Sequence, residues 1–255
     1  MTHLVGIAAF ILVGLSLGLL GGGGSILGVP VLVYLLAVPA GVAVPMSLPV
    51  VGLASAVGAV ARWRKGQLRV RLALSFAAVA MLASFAAARL GAGIPDRPRL
   101  LMFTTVMLIA AVLMWRRSMR QEGPAGPVAG GASPAPTSTP VTLALAALVV
   151  GTLTGLVGVG GGFLIVPALT GVLAIPMAEA TATSLAVIAL NTVAASAGWW
   201  GQVSIDHRLT ALVTAAALAG MAVGLRLAPR FSARSLARIF SGLLVVVGIV
   251  MLLKL

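Results

Sequence analysis

The sequence predicts an all-α polytopic membrane protein, and three features of the chain support this fold class. Hydrophobic residues occupy 60% of the 255 positions and charged residues only 8%, whereas soluble domains use about 25% charged residues. Apolar runs approaching the ~20 residues that cross a bilayer recur along the whole chain. The second half of the chain also repeats the first. The ~10-residue alternating segments typical of an outer-membrane barrel are absent.

The internal repeat becomes visible when the chain is shifted by 137 positions, the separation of Gly14 and Gly151. Leu and Val matches arise easily in such a composition, but paired glycines and prolines do not, so we take the repeat as real. After a slip of two residues, Gly66-Gln67 also aligns with Gly201-Gln202. The other coinciding pairs are Gly18 and Gly155, Gly21 and Gly158, Gly23 and Gly160, Gly24 and Gly161, Pro30 and Pro167, Pro39 and Pro176, and Ser47 and Ser184.

Each half is predicted to contain five apolar segments. The second segment of each half has only ~13 residues, which is short of a full span and predicts a tilted half-helix or a re-entrant element. Between the halves, residues 121–140 are rich in proline, glycine and small residues and predict a flexible linker between repeats 1–120 and 141–255. The predicted segments are 4–20, 26–38, 42–61, 72–90 and 100–115, then 141–157, 163–175, 180–200, 209–225 and 236–253.

Charge is distributed unevenly between the predicted loops. The net charge of +13 would suit a nucleic-acid partner, but basic residues cluster between apolar spans, which favours cytoplasmic loops of a multi-pass inner-membrane protein. We place the basic loops 62–71, 116–120 and 226–238 in the cytoplasm. Equivalent loops of the two halves then lie on opposite faces, which predicts inverted repeats related by a pseudo-two-fold axis in the membrane plane. With re-entrant second segments, each half would cross four times and the halves would run parallel.

Two glycine clusters, in residues 18–30 and 155–167, are predicted to break membrane helices and to build one site between them. Broken backbone survives in a bilayer only where protein buries it or where it lines a polar cavity. The helices that follow, from Ile26 and Phe163 onward, would offer free N–H groups and a partial positive charge to an anion. The alternative is that the glycines only let helices pack closely. The predicted substrate-binding residues of the clusters are Gly21, Gly22, Gly23, Gly24, Ser25, Gly158, Gly160, Gly161, Gly162 and Phe163.

The third segment of each half supplies polar side chains. We predict that Ser47, Thr183 and Ser184 contact the anion, although hydroxyls in helices also bond to their own preceding turn. Asn191, in the middle of a span, either holds helices together or contacts substrate. Glu179 is the candidate for proton coupling, with the alternative that it is an acid favoured at a helix N-terminus.

Several kinds of chemistry have no support in the sequence. The chain has no cysteine, and His3 and His207 have no partners at metal-ligand spacing. We therefore predict no metal site, no cofactor and no enzymatic activity. The four tryptophans, Trp63, Trp115, Trp199 and Trp200, are predicted to lie in interfacial aromatic belts.

The glycine clusters, each followed by two prolines, the Ala-Thr-x-Thr-Ser step at 180–184 and the Gly-Gln steps resemble the TauE/SafE-type sulfite and organosulfonate exporter family. The resemblance covers both repeats, and the matching positions include Ser47, Thr183 and Ser184. It departs in the first half, where Ser25 replaces the last glycine. The resemblance implies movement of small sulfur oxyanions or sulfonates across the inner membrane, usually outward.

The expected function is a secondary permease for a small anion, with export of sulfite or another sulfur oxyanion or organosulfonate by alternating access. The expected partners are this anion and the lipid bilayer, with no nucleic acid. A passive anion channel, an uptake permease for a related sulfur compound and an assembly factor for another membrane complex are the alternatives. An intramembrane enzyme would need a nucleophile with its base, or a metal site, within the spans.

Overall fold

The computed structural model describes residues 2–91, 93–120, 140–157, 162–171 and 175–230, with four further positions at 242, 245, 246 and 249. Every regular element in this part of the chain is helical, which confirms the all-α prediction. The predicted linker, apart from Pro140, and most of the last predicted segment lie outside the described residues. The helices are α1 Thr2–Leu20, a 3₁₀ segment Gly21–Leu27, α2 Gly28–Tyr34, α3 Ala40–Trp63, α4 Val70–Gly91, α5 Asp96–Arg120, α6 Pro140–Val157, α7 Gly162–Gly171, α8 Met177–Trp199, α9 His207–Leu227 and a 3₁₀ turn Ala228–Arg230.

Within the described residues, five stretches are long and apolar enough to cross a membrane. Val141–Val157 is a shorter apolar helix. Many large apolar side chains on these helices are exposed, for example Leu82 and Leu90. Such exposure is expected where a membrane helix faces lipid. The five stretches are Gly6–Tyr34, Ala40–Trp63, Val70–Gly91, Ala178–Trp199 and His207–Leu227.

The stretch Gly6–Tyr34 is not one straight helix. α1 ends at Leu20, and Gly21 takes the left-handed backbone conformation with φ +67°, which glycine adopts at little cost. The chain then turns back along α1. This is seen from two close contacts, of Gly24 with the backbone of Leu17 and of Gly6 with the side chain of Leu36. The first glycine cluster therefore breaks the helix, as predicted, and joins two antiparallel segments.

The second predicted segment, 26–38, is shorter as a helix than expected. Ile26 belongs to the 3₁₀ segment, whose residues are all buried, and α2 comprises only the 7 residues Gly28–Tyr34. The expectation that an α-helix starts at Ile26 is therefore wrong by two positions, because the run of glycines favours the tighter 3₁₀ turn.

The predicted basic loops are partly helical. α3 continues to Trp63, α4 begins at Val70, α5 includes 116–120, and α9 continues to Leu227; residues 231–238 lie outside the described part. Basic side chains at a helix C-terminus interact favourably with the helix dipole. The helices therefore extend past their apolar runs, and the cytoplasmic location of these segments stays a prediction.

Small residues determine which helices of the two halves pack together. Gly14 of α1 lies against the backbone of Ala217 in α9, and Gly151 of α6 lies against the backbone of Ala80 in α4. Both pairs are related by the same shift of 137 positions. Such small-residue contacts let helix backbones approach closely in membranes. Each first helix thus packs on the fourth helix of the other half.

The two third helices, α3 and α8, pack against each other at the centre of the molecule. Gly52 lies beside Thr192, and Gly58 lies beside Leu185, so the two helices run antiparallel. Each is preceded by a proline with the same backbone angles, φ −54° and ψ 141° at both Pro39 and Pro176. This pair positions the residues of the candidate site.

Candidate anion site

The two glycine clusters meet. Gly22, in the 3₁₀ segment, lies against Gly162 at the start of α7: a Cβ on Gly22 would be 2.8 Å from the Gly162 carbonyl oxygen and 2.6 Å from Ile188 Cδ1. Side chains do not tolerate such distances, so the contact requires glycine on both sides. The backbone of the 3₁₀ segment and the backbone at the start of α7 therefore meet at one point inside the protein.

Ser184 connects α8 to this point. The backbone N–H of Gly22 donates a hydrogen bond to Ser184 Oγ, at 3.2 Å. The Ser184 hydroxyl in turn donates to the carbonyl of Thr181, at 2.9 Å, as helical serines commonly do. Thr181 itself lies beside Gly21. Gly21, Gly22, Gly162 and Ser184 are thus predicted site residues that the fold brings together.

Other predicted site residues bond within the protein. Ser25 Oγ donates to the carbonyl of Gly22 at 2.8 Å, and Gly24 packs against α1. Ser47 Oγ donates to the carbonyl of Val44 at 2.8 Å, and Gly23 is buried in the 3₁₀ segment. Thr183 Oγ1 accepts a hydrogen bond from the backbone N–H of Arg69 at 3.4 Å. Gly158, Gly160, Gly161 and the Phe163 side chain lie outside the described part of the chain.

Asn191 lies two turns further along α8, on the stripe that also carries Ser184 and Ile188. Its side chain is fully buried, and neither Oδ1 nor Nδ2 has a hydrogen-bond partner. An unsatisfied buried amide is costly, roughly 1–3 kcal/mol. A polar species that passes along this stripe, water or substrate, would satisfy it.

Glu179 lies in the first turn of α8 and forms an ion pair with Arg69, in which both side chains are partly exposed. This position favours the reading of Glu179 as a helix N-terminal acid. Its role in proton coupling stays a prediction.

Arg62 lies next to Thr181 and Gly18, a position that the sequence did not predict. Its side chain is 9% exposed; Nη1 donates to Thr181 Oγ1 at 3.2 Å and Nη2 to the Gly18 carbonyl at 3.0 Å. Nε is buried without a partner. The sequence predicts Arg62 in the basic loop 62–71, because the predicted apolar segment ends at Ala61.

The repeat itself held the signal that Arg62 is internal. At the shift of 137 positions Arg62 coincides with Trp199. Trp199 Nε1 donates to the carbonyl of Gly155 at 3.1 Å, and Gly155 is the counterpart of Gly18. Both residues therefore close the end of a first helix in the same way. Trp199 is buried, so its predicted place in an aromatic belt is wrong, whereas Trp63 and Trp200 are exposed.

A cavity of about 760 Å³ lies at the opposite end of the α3–α8 pair, between α3, the end of α8 and α9. Its lining is largely apolar, and the hydroxyls of Thr210 and Thr214 bond to carbonyls of their own chain. This cavity offers little to an anion, so the site is better located by the glycine contact. Among the described residues, no three His, Asp or Glu side chains cluster as metal ligands do.

Apolar spans around a broken, fully buried helix segment are typical of α-helical membrane transporters. Residues 6–251 match the family model described as Sulfite exporter TauE/SafE, and the chain therefore belongs to that family. Two relatives from Xylella fastidiosa, strains 9a5c and Temecula1, each named "Probable membrane transporter protein", are 30% identical over 249 residues, which cover 93% of this chain and 90% of the relative. No solved structure is significantly similar. The protein is thus a transmembrane transporter, and family and relatives are transporters rather than enzymes.

Proposed function

We propose that this transporter is a secondary permease that exports a small anion, sulfite or another sulfur oxyanion or organosulfonate, by alternating access. The observation that carries the proposal is the direct contact of Gly22 with Gly162, which brings backbone from both halves to Ser184. The description of the family as sulfite exporters supports the choice of substrate.

In the proposed site, backbone N–H groups and hydroxyls replace the hydration shell of the anion. Free backbone N–H groups at the start of a helix stabilise negative charge. Asn191 extends the polar stripe along α8 and is proposed as the next contact. The full set proposed is Gly21, Gly22, Gly23, Gly24, Ser25, Ser47, Gly158, Gly160, Gly161, Gly162, Phe163, Thr183, Ser184 and Asn191.

We also propose that the repeats 1–120 and 141–255 are inverted about an axis in the membrane plane. The antiparallel packing of α3 on α8 supports this, because these helices occupy the same place in the two halves. Reciprocal contacts, in which Gly14 meets Ala217 and Gly151 meets Ala80, are typical of two-fold relations. Counting α1 and the returning segment after Gly21 separately gives five crossings for the first half.

Transport of an anion out of a cell needs no coupling ion in this scheme. An inside-negative potential favours its exit by about 2.3 kcal/mol per charge per 100 mV. The inner membrane, where we propose that the protein lies with its basic segments in the cytoplasm, carries such a potential. Rocking of the two halves about the glycine contact would expose the site to each face in turn.

Flux measurements in proteoliposomes test the proposal. We expect saturable uptake of sulfite or a sulfonate that changes with an imposed membrane potential and shows exchange between the two faces. Flux equal to that of empty liposomes across a panel of sulfur oxyanions would reject the substrate. Flux that does not saturate would identify a channel, and inward transport in cells would identify an uptake permease.

A further inference from the structure

We infer that Arg62 is the positive charge that recognises the substrate, and that the site therefore selects oxyanions, whose oxygens can accept paired hydrogen bonds, over halides. This inference rests on the proposed transport of an anion and names the residue and the ligand class for that same site.

The first argument is the burial of an uncompensated charge. Arg62 is buried, and within the described residues the ion pairs are Arg69 with Glu179 and Arg99 with Asp96, so no carboxylate there faces Arg62. Isolated buried charges are very unfavourable unless paired. A guanidinium carries five N–H donors, and Arg62 uses two of them on protein acceptors. A bound anion would supply both the missing charge and the missing acceptors.

The second argument is position. Arg62 bonds to Thr181 Oγ1, the carbonyl of Thr181 accepts from Ser184 Oγ, and Ser184 Oγ accepts from the Gly22 amide. Thr181 also contacts Gly21 directly. Thr181, at the start of α8, therefore contacts both the Arg62 guanidinium and the first glycine cluster.

The third argument is a comparison with Arg99, which is 2% exposed and is the other arginine buried among the residues whose side chains are described. Arg99 donates to the carbonyls of Gly91 and Ile94, lies near Asp96 and stacks over the Trp199 ring. Nε of Arg99 is also buried without a partner, so the two arginines differ in charge compensation: the protein supplies a carboxylate and an aromatic ring to Arg99. If Arg62 only closed the end of α1, it would be expected to have a similar partner.

The guanidinium also defines the ligand class. Its planar fork matches two oxygens of one oxyanion, as in carboxylate and phosphate recognition, whereas a halide offers the two N–H groups a single acceptor atom to share. Sulfite, sulfonate and sulfate each present such oxygens. Lysine would keep the charge without the fork.

Thermal unfolding of the purified full chain, titrated with sulfite, methanesulfonate, sulfate or chloride at constant ionic strength, tests the inference. We expect at least one oxyanion to stabilise the wild type saturably, and chloride not to. Arg62→Gln should weaken oxyanion affinity by at least about tenfold, the loss of a charge-assisted bond pair, and Arg62→Lys should weaken it less. The matched control Arg99→Gln should lower the unfolding temperature without changing the affinity.

Unchanged oxyanion affinity in whichever Arg62 variant folds would overturn the assignment, as would the absence of saturable stabilisation by all three oxyanions. Equal stabilisation by chloride would overturn the ligand class. Binding that needs Arg62, without flux in proteoliposomes, would refute the transport proposal alone. Flux with unchanged affinity in the variants would refute this inference alone.

Discussion

At the scale of single residues, Gly22 is the position where the lack of a side chain matters most. We predict that Gly22→Ala abolishes transport and destabilises the protein by about 1–3 kcal/mol, the usual cost of overpacking. Its new Cβ would lie 2.6 Å from Ile188 and 2.8 Å from the Gly162 carbonyl. Unfolding in detergent and flux in proteoliposomes measure the two effects.

Gly28→Ala is the matched control for Gly22→Ala. Gly28 has helical backbone angles, and its new Cβ would meet Val51 at 3.5 Å, an ordinary contact. The change should keep transport and stabilise the protein by about 0.4–1 kcal/mol, because alanine restricts the unfolded chain. If both variants transport alike, the close approach at Gly22 is not needed for function.

The sequence predicted the glycines and the serine that form the backbone contact of the site, but it did not predict the buried charge of Arg62 beside them. The repeated glycines and Ser184 stand out because such residues are unexpected in an apolar span. Arg62 does not stand out, since hydropathy counts an arginine at the end of a span as solvated. Only its coincidence with Trp199 in the repeat, and then the bonds to Gly18 and Thr181, show it to be internal.

At the scale of elements, an ion pair joins Glu179 in the first turn of α8 to Arg69, the residue before α4. Both side chains are partly exposed, and such pairs contribute about 0–1 kcal/mol after solvent screening. If Glu179 acts only as a helix N-terminal acid, the alternative to proton coupling, Glu179→Gln lowers stability by no more than this and leaves the pH dependence of flux unchanged. A flux that loses its pH dependence in Glu179→Gln would instead assign the coupling proton to this carboxylate.

The elements themselves were largely predictable, because apolar length determines a membrane span. α3, α4, α8 and α9 lie within a few residues of their predicted bounds. The 3₁₀ segment was not predicted: glycines indicate that a helix breaks there, but the geometry that replaces it depends on packing against α1, α7 and α8. The same glycine content explains why α2 is so short.

At the scale of the whole molecule, the inverted arrangement predicts opposite locations for equivalent turns. The chain has no cysteine, so single cysteines can be placed without background at the exposed positions Lys65 and Ser204. We predict that an impermeant maleimide labels Ser204→Cys in intact cells, and labels Lys65→Cys only after the membrane is permeabilised.

Labelling of both positions from the same side would contradict inversion.

The repeat predicted which helices correspond, and loop charge predicted their orientation. Neither could predict that α1 packs on α9 and α4 on α6, because those pairings depend on surface complementarity at glycines such as Gly14 and Gly151.

The most direct test of the central claim, that the two glycine clusters together hold an anion, is an experimental structure with bound selenite. Selenium replaces sulfur in this oxyanion and gives an anomalous signal that marks its position. We predict one internal anomalous peak, placed so that the selenite oxygens lie within hydrogen-bonding distance of Gly22 or Ser184. A structure with unbroken helices through both clusters, or with selenium only in the apolar cavity beside Pro45 and Pro49, would contradict it.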